Sequence, residues 1–319
     1  MHELPASLKA LMTDLIDYAG LFPPAGLPMN LAVGNHDRYI NGPNAWALGR
    51  FVLPVARFKE FQPYLFGRQF LQTWLISALI GDDAEADFIA ISEFNQQNVG
   101  RVLVDTVEVK VASADEIRRF AALVPKTITP YFEITPRFID DLVVAVREVG
   151  GRAKIRTGGI TLEAFPPASD VAHFISVCAE HEVPFKATAG LHHPVRCVRP
   201  ITYDANAPTS AMHGFLNVFT AAAVAWIQGK VFECDDEMFV GRDAPIQTPF
   251  RYEMGPRGQK SLENILQQIS PFEFVEHGLK APLIIPTSLI KEARQNFAIS
   301  FGSCSFEEPM GELSSLETL

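Results

Sequence analysis

Short runs of β-branched and aromatic residues recur along the chain, and segments with helical spacing of apolar residues lie between most of them. Strand–helix alternation at roughly 25–30 residues per unit indicates right-handed crossovers and a parallel sheet. The runs predict eight strands, at residues 51–55, 75–79, 106–111, 129–134, 153–157, 184–188, 212–216 and 298–305.

Four of the intervening segments predict helices, at residues 113–124, 137–149, 169–182 and 217–229. Ser113, with Glu116 three residues later, fits a capping box that marks the start of the first of these helices. The pair Gly150-Gly151 is a plausible end for the second.

Eight strands favour a closed (β/α)8 barrel, for which about 250 residues is typical. We therefore expect one barrel domain over residues 1–319, with an N-terminal helical or loop extension at 1–48 and an insertion at 230–290 before the last strand. The glycine- and proline-rich segment 17–24 is predicted to form a lid or a plug. The alternative is an open, doubly wound sheet, but the glycine-rich fingerprint of that fold does not follow residues 51–55.

Charged residues alternate with apolar ones in several strands. In 106–111 the three valines occupy one face, and Glu108 and Lys110 occupy the other. Because the valine face must meet the helices, the charged face points into the barrel. The same alternation predicts further interior polar side chains at Tyr131, Glu133, Lys154, Arg156, Lys186, Thr188 and His213, with Asn217 just beyond the seventh strand.

Barrel interiors are normally filled with Val, Ile and Leu, and unpaired buried charges are costly. The interior charges therefore predict a catalytic floor whose groups perturb one another's pKa values, although salt-bridged filling of the barrel is an alternative. The expected catalytic residues are Lys186, Glu133, Lys154, Lys110 and His213. Glu108, Arg156, Thr188 and Asn217 are expected to bind substrate.

The loops after two neighbouring strands contain glycines, which let backbone N–H groups approach an anionic group. We expect the loop that begins at Thr157 and the loop that holds Gly190 to bind substrate. The residues concerned are Thr157, Gly158, Gly159, Gly190, His192 and His193.

The last strand places Ser303 and Ser305 on one face and Cys304 on the other. We expect the hydroxyl of Ser303 to bind a carboxylate or phosphate. Cys304 has no identifiable partner base in the sequence and is interpreted as a packed thiol.

Glu133, His213 and one of His192 and His193 form an alternative, metal-binding set. The interior set has more cations than carboxylates, which is the opposite of what a divalent ion prefers. We therefore expect no metal and no other cofactor.

Lys and Arg total 27 against 37 Asp and Glu, which gives a formal net charge of −10. That balance argues against nucleic acid or an anionic membrane as the main partner, because both attract a positive surface. The interior set instead counts four cations, Lys110, Lys154, Arg156 and Lys186, against Glu108 and Glu133. This local excess predicts a small anionic substrate.

The four cysteines are widely spread and form no Cys-x-x-Cys pair, and the N-terminus lacks the features of a signal peptide. Both observations predict a cytoplasmic protein. Aromatic residues in the 230–290 insertion predict either a homodimer surface or a satellite core under that insertion.

Five sequence stretches lie at 17–24 (DYAGLFPP), 154–159 (KIRTGG), 184–194 (PFKATAGLHHP), 212–219 (MHGFLNVF) and 301–309 (FGSCSFEEP). Together they resemble a family of uncharacterised bacterial proteins, common in cyanobacteria and actinobacteria. The resemblance spans nearly the whole chain and implies no activity.

The stretch 185–190 (FKATAG) is also similar to the lysine signature of the deoxyribose-phosphate aldolase family, which are class I aldolases. By this resemblance, Lys186 would form a Schiff base with a carbonyl substrate, and Glu133 would be an acid/base carboxylate. The chain departs from that family in having His213 where the family has a second lysine.

These observations predict a lyase that acts on a small anionic carbonyl or phosphorylated metabolite by Schiff-base or proton-transfer chemistry. Lys154 and Arg156 would lower the pKa of Lys186 and hold the anionic group. Glu133 would move protons, helped by Lys110 or His213. The alternatives are a metal-dependent hydrolase or isomerase and a barrel that binds a metabolite without catalysis.

Overall fold

Eight parallel strands close into a barrel, which confirms the predicted (β/α)8 fold. The computed structural model describes residues 4–135, 139–231, 256–268, 274–275, 278–279 and 285–316. The barrel strands are β1 (Ile16–Tyr18), β2 (Leu48–Pro54), β3 (Trp74–Leu79), β4 (Val102–Lys110), β5 (Thr129–Glu133), β6 (Arg152–Arg156), β7 (Phe185–Thr188) and β12 (Ala298–Ser303). Around the barrel they follow the order β1-β12-β7-β6-β5-β4-β3-β2.

Helices connect the barrel strands and cover the outside of the barrel. Those before β7 are α1 (Ala6–Met12), α2 (Met29–Ile40), α3 (Phe58–Phe61), α4 (Ala84–Gln97), α5 (Ala114–Ala121), α6 (Ile139–Glu148) and α7 (Ala168–Glu180). Those after β7 are α8 (Phe215–Val231), α9 (Pro256–Leu266), α10 (Thr287–Asn296) and α11 (Glu307–Leu316).

The helix ends follow the local sequence signals. The Ser113 side chain caps α5 by accepting a hydrogen bond from the Glu116 N–H at 3.3 Å. The Glu116 carboxylate accepts from the Ala112 N–H at 2.7 Å, so the two side chains satisfy backbone donors before and inside the first turn. After α6 the chain turns at Gly150, whose φ of 64° lies in the left-handed region.

The seventh predicted strand, at 212–216, is wrong. Its first residue ends β9 (Thr209–Met212), which pairs antiparallel with β8 (Cys197–Pro200) in a hairpin outside the barrel. The rest of it leads into α8, which begins at Phe215.

The missing barrel strand is β1, which lies inside the segment 1–48 that we expected to be an extension. Only three residues long, it pairs parallel with β12 on one side and β2 on the other. It also begins the 17–24 segment, which was predicted as a lid or a plug. Asp17 and Tyr18 are part of the barrel wall, whereas Ala19, Phe22, Pro23 and Pro24 line a cavity of the barrel.

Much of the 230–290 insertion lies outside the described residues, as do the predictions about its aromatic side chains. Its described part includes α9, which packs against α7 and α8. Two further strands, β10 (Phe274–Val275) and β11 (Gly278–Leu279), form an antiparallel pair.

The hydrophobic core lies between the strands and the helices. Phe132 and Phe185 are fully buried, and each makes an edge-to-face contact with a helix ring, Phe120 in the first case and Phe174 in the second. Among the described residues, no helix combines the length and the apolar character needed to cross a membrane.

Candidate functional site

A row of alternating carboxylates and cations crosses the interior of the barrel. At its centre, Glu108 on β4 accepts hydrogen bonds from Lys186 on β7 and from Lys154 on β6, each at 2.7 Å. Lys186 also donates to Asp17 on β1 at 2.6 Å, and Lys154 contacts Glu133 on β5 at 2.7 Å. These five side chains come from five strands, so the closed barrel itself creates the row.

The alternation of the strands explains why these side chains meet. Val107 is fully buried, in keeping with the predicted valine face of β4, and Glu108 points to the opposite face. Parallel pairing places Lys154 beside Glu133 and Lys186 beside Lys154 in the register of the sheet. Two lysines side by side in a low-dielectric interior require carboxylates between their ammonium groups, and Glu108 fills that position.

Lys186 is 1% exposed and is held as an ammonium ion. Burial alone would lower its pKa, but the carboxylates of Asp17 and Glu108 outweigh burial and raise it above the ordinary lysine value. The ammonium also lies 5.4 Å from the centre of the Tyr131 ring. The expectation that Lys154 and Arg156 lower the pKa of Lys186 is therefore wrong, because carboxylates and not cations are its nearest charged neighbours.

Glu108 and Glu133 are held as carboxylates. Burial alone would raise both pKa values, but the cations beside each group lower them below the ordinary range. Glu108 is bonded to both lysines and to the Ser77 hydroxyl, which donates at 2.6 Å. Glu133 is the less enclosed of the two, with a side chain 14% exposed.

Arg156 lies at the rim of the site. Its side chain is 49% exposed, and its Nε is 3.4 Å from a Glu133 oxygen, which is a long contact for a charged pair. The guanidinium can therefore turn towards a ligand without leaving a buried carboxylate unpaired, because Glu133 keeps its shorter contact with Lys154.

A cavity of about 250 Å³ opens above the row. Residues at and after the carboxyl ends of several strands line it, which is where barrel enzymes bind their substrates. The residues predicted from the sequence for the site that do line this cavity are Glu108, Lys154, Arg156, Gly159, Lys186, Thr188, Gly190 and His192.

The charge balance of the site differs from the prediction. Asp17 adds a third carboxylate, and Lys110 is exposed and absent from the lining. The row and Arg156 at its rim therefore hold three carboxylates against three cations, which are Lys154, Arg156 and Lys186. The surface that a ligand meets is nevertheless positive. Glu108 lines the cavity together with these three cations, whereas Asp17 and Glu133 are outside the described lining.

The glycine loops support the cavity through close packing. A Cβ on Gly158 would lie 2.6 Å from the Gly190 Cα, so the loops after β6 and β7 touch backbone to backbone. Gly190 has a φ of 76°, and Ala189 before it also has a positive φ, of 62°. Gly159 and Gly190 reach the cavity, whereas Gly158 is a packing residue outside its described lining.

Glu133 lies outside the described lining but contacts Lys154, whereas two other predicted catalytic residues do not reach the site. Lys110 is the exposed last residue of β4. His213 is fully buried beyond β9, with its Nε2 2.8 Å from the Pro166 carbonyl oxygen and its Nδ1 3.5 Å from Arg196. Both predictions depended on strand ends: Lys110 emerges at the end of β4, and the strand expected to carry His213 does not exist.

Three predicted substrate-binding residues instead form hydrogen bonds with the backbone. The Thr157 hydroxyl donates to the Ala189 carbonyl at 2.6 Å. The Asn217 side chain accepts from the Arg196 N–H at 2.9 Å and donates to two carbonyls at the end of α9. The Ser303 hydroxyl donates to the Ser305 carbonyl at 2.6 Å.

The histidine pair is divided between two cavities. His192 lines the main cavity, whereas His193 contacts Glu312 at 2.8 Å and lines a second cavity beside the β8–β9 hairpin. The alternative metal set does not converge, because His213 is bonded to Pro166. Among the described residues, no group of three His, Cys, Asp or Glu side chains is arranged to hold a metal ion.

Sequence reasoning missed Asp17, which accepts hydrogen bonds from Lys186, from the Ser300 hydroxyl at 2.7 Å and from the Arg50 N–H at 2.8 Å. The available signal was a carboxylate directly after the apolar pair Leu15-Ile16. Sequence reasoning also missed the base beside Cys304: this residue lines the cavity, and its sulfur lies 3.8 Å from the His192 Nε2.

The fold and the charged floor define a (β/α)8 barrel with a candidate active site at the carboxyl ends of its strands. No known family model matches the chain, and no curated protein sequence is significantly similar to it. The two family resemblances remain predictions.

Proposed function

We propose that this protein is a lyase or isomerase that transfers protons on a small anionic carbonyl compound. The observation that carries the proposal is the buried row of carboxylates and ammonium groups that opens into the cavity. Buried ion pairs are a poor source of stability, because desolvation offsets their attraction and apolar residues would fill a barrel as well. A function is the better explanation for a row of five such side chains, three of which line a ligand-sized cavity.

The environments of the two lysines differ, and this supports different roles for them. Lys186 lies between two enclosed carboxylates and has a raised pKa, which suits a fixed cation that stabilises negative charge on a carbonyl oxygen. Lys154 contacts the more accessible Glu133 at 2.7 Å. Because Glu133 is held as a carboxylate, it can accept the proton that leaves the carbon next to the carbonyl, and Lys154, which lines the cavity between them, can relay that proton.

The same features favour proton transfer over a Schiff base at Lys186. Schiff-base formation needs a free amine, and the contacts of Lys186 with Asp17 and Glu108 hold its proton in place. Arg156 at the rim is suited to the anionic group of the substrate, since its guanidinium is half exposed and only weakly engaged.

The test is α-proton exchange in deuterated water, followed by proton NMR, with a panel of 2-oxo acids and phosphorylated aldehydes and ketones. We expect exchange with at least one compound, and a loss of about 10²–10⁴-fold in Glu133→Gln and in Lys154→Met. Lys110→Met is the matched control, because this lysine is exposed at the end of β4, beside the strand that carries Glu133. The variant should catalyse exchange at the wild-type rate.

Two results would contradict the proposal. One is the absence of exchange with the whole panel, and the other is an unchanged rate in folded Glu133→Gln. Borohydride reduction in the presence of an exchanging compound tests the Schiff-base route separately. A reduced adduct at Lys186 would replace the proton-transfer mechanism with the Schiff-base one.

A further inference from the structure

Cys304 forms part of a hydrogen-bonded chain that the proton-transfer mechanism does not use. Its sulfur lies 3.8 Å from the His192 Nε2, and the Nδ1 of the same imidazole lies 2.9 Å from a Glu308 carboxylate oxygen. An ionised carboxylate only accepts hydrogen bonds, so Nδ1 carries a proton towards Glu308 and Nε2 faces the sulfur. Nucleophile, base and orienting carboxylate follow one another as they do in cysteine-dependent acyl-transfer sites.

The local sequence holds this arrangement in place. The Ser305 hydroxyl accepts a hydrogen bond from the Glu308 N–H at 3.1 Å at the start of α11, which holds the backbone of Glu308 four residues beyond Cys304. The Tyr203 hydroxyl, from the segment between β8 and β9, donates to the same Glu308 oxygen at 3.3 Å. The imidazole thus has an orienting partner that is itself held by two elements.

The hydrogen-bond partners of the His192 imidazole favour its protonated form, which is the form that results when a thiol proton moves to Nε2. Burial alone would lower the pKa of His192, but its hydrogen bonds to Cys304 and Glu308 outweigh burial and raise it to about 10. The titratable groups that act on this cluster from the surrounding elements are Tyr18, Glu307, Glu308, His193 and Tyr203.

Position separates Cys304 from the other described cysteines. Cys304 and His192 both line the main cavity, together with Lys154 and Lys186. Cys178 is fully buried, and Cys197 is on the hairpin strand β8, outside the described lining. A ligand held above the charged row can therefore meet the sulfur as well.

We propose that Cys304 is a nucleophilic centre of the cavity, which reversibly binds the aldehyde group of an anionic ligand as a thiohemiacetal with His192 as its base. The thiol proton passes to the His192 Nε2, the sulfur bonds to the aldehyde carbon, and the carbonyl π electrons move to oxygen. The imidazolium then returns the proton to that oxygen, so the addition balances without an oxidant or a reductant.

The inference rests on the proposed function only for the class of ligand, and it narrows that class from carbonyl compounds to aldehydes. An aldehyde carbon is less hindered than a ketone carbon and adds thiols more readily. The positive lining of Lys154, Arg156 and Lys186 supplies the preference for an anionic aldehyde.

The first experiment measures alkylation of each cysteine in the folded protein by iodoacetamide at about pH 6, with peptide mass spectrometry. We expect Cys304 to react roughly tenfold or more faster than Cys197, and this advantage to be lost in His192→Asn and reduced in Glu308→Gln. His193→Asn and Glu307→Gln are the matched controls at the neighbouring positions and should keep the advantage. Absence of labelling at Cys304 in the folded protein, or an equal rate in His192→Asn, would overturn the proposal.

The second experiment adds glycolaldehyde phosphate labelled with carbon-13 at the aldehyde. We expect a new carbon resonance, distinct from the aldehyde and its hydrate, that is absent from Cys304→Ser, and slower alkylation of Cys304. Dihydroxyacetone phosphate labelled with carbon-13 at its carbonyl should give no such resonance, and inorganic phosphate should slow the alkylation less than the aldehyde does. Protection by phosphate equal to that by the aldehyde, with no new resonance, would mean that no covalent bond forms and would overturn the proposal.

The same compound carries α-protons, so exchange and adduct formation are measured in one sample. Exchange without an adduct leaves the proposed function in place and removes the role of Cys304. An adduct without exchange by any compound of the panel supports Cys304 as a nucleophile and removes the proton-transfer function.

Discussion

His36 on α2 is a buried imidazole whose protonation should set the acid stability of the protein. It is fully buried among aromatic rings, with the Trp74 ring 4.5 Å and the Phe51 ring 5.2 Å from its centre. Among the described residues, neither of its ring nitrogens has a hydrogen-bond partner. Burial, helped by the charge of Arg68, lowers its pKa from 6.5 to about 3.

The lowered pKa gives the sign and the size of the effect. Between the folded pKa and the unfolded pKa, the unfolded chain binds a proton that the folded protein does not, so stability falls as the pH falls below about 6.5. From about pH 7.5 to about pH 5, this single group should lower the free energy of unfolding by about 2 kcal/mol.

The perturbation is His36→Leu, which keeps a similar volume and removes the titrating group. Urea unfolding followed by circular dichroism at both pH values should show a loss of stability that is smaller in the variant by about 2 kcal/mol. His173→Leu, at a half-exposed histidine of α7, is the control for the loss of an imidazole. Equal losses in wild type and His36→Leu, or the same flattening in the control, would refute the argument from burial.

Two further perturbations test the floor of the site and its glycine contact. Lys186→Met should lower the free energy of unfolding by about 3–5 kcal/mol, because Asp17 loses a buried partner, and Asp17→Asn in the same chain should restore part of that loss. Calorimetry measures both, and a Lys186→Met variant as stable as wild type would contradict the description of the row. Gly158→Ala should destabilise by about 1–3 kcal/mol, since its Cβ would meet the Gly190 backbone. Gly34→Ala, in the middle of α2 with no atom near the new Cβ, should instead stabilise the protein by up to about 1 kcal/mol. A loss of stability in this variant would contradict the argument from the space around each glycine.

The alternation of apolar and polar residues was sufficient to predict the fold and the centre of the site. Strand periodicity placed Glu108 and Lys154 inside the barrel before any contact between them was known, because one face of each strand has to meet the helices. The prediction was less accurate at the strand ends, where the sheet no longer fixes the direction in which a side chain points. Lys110 at the last position of β4 is exposed, and Arg156 at the last position of β6 is half exposed.

The errors have local physical causes. Three residues are too few for a periodic signal, so β1 and Asp17 were not recognised as part of the barrel. The run at 212–216 was predicted as a strand. Its first residue instead ends a strand of the antiparallel hairpin, and its last two residues begin α8. The base beside Cys304 was invisible because His192 and Cys304 are 112 positions apart along the chain.

The closure of the barrel through β1 has a consequence for biosynthesis. Asp17 joins residues from distant parts of the chain, since its bonded partners include Lys186, 169 positions later, and Ser300, 283 positions later. A ribosome delivers Asp17 well before Lys186 and Ser300, so β12 must be synthesised before β1 has both neighbours. Until then the ammonium of Lys186 and the carboxylates of Asp17 and Glu108 lack their final enclosure, and the floor of the cavity is incomplete. The site can therefore assemble only after β12 has been synthesised, however early β1 emerges.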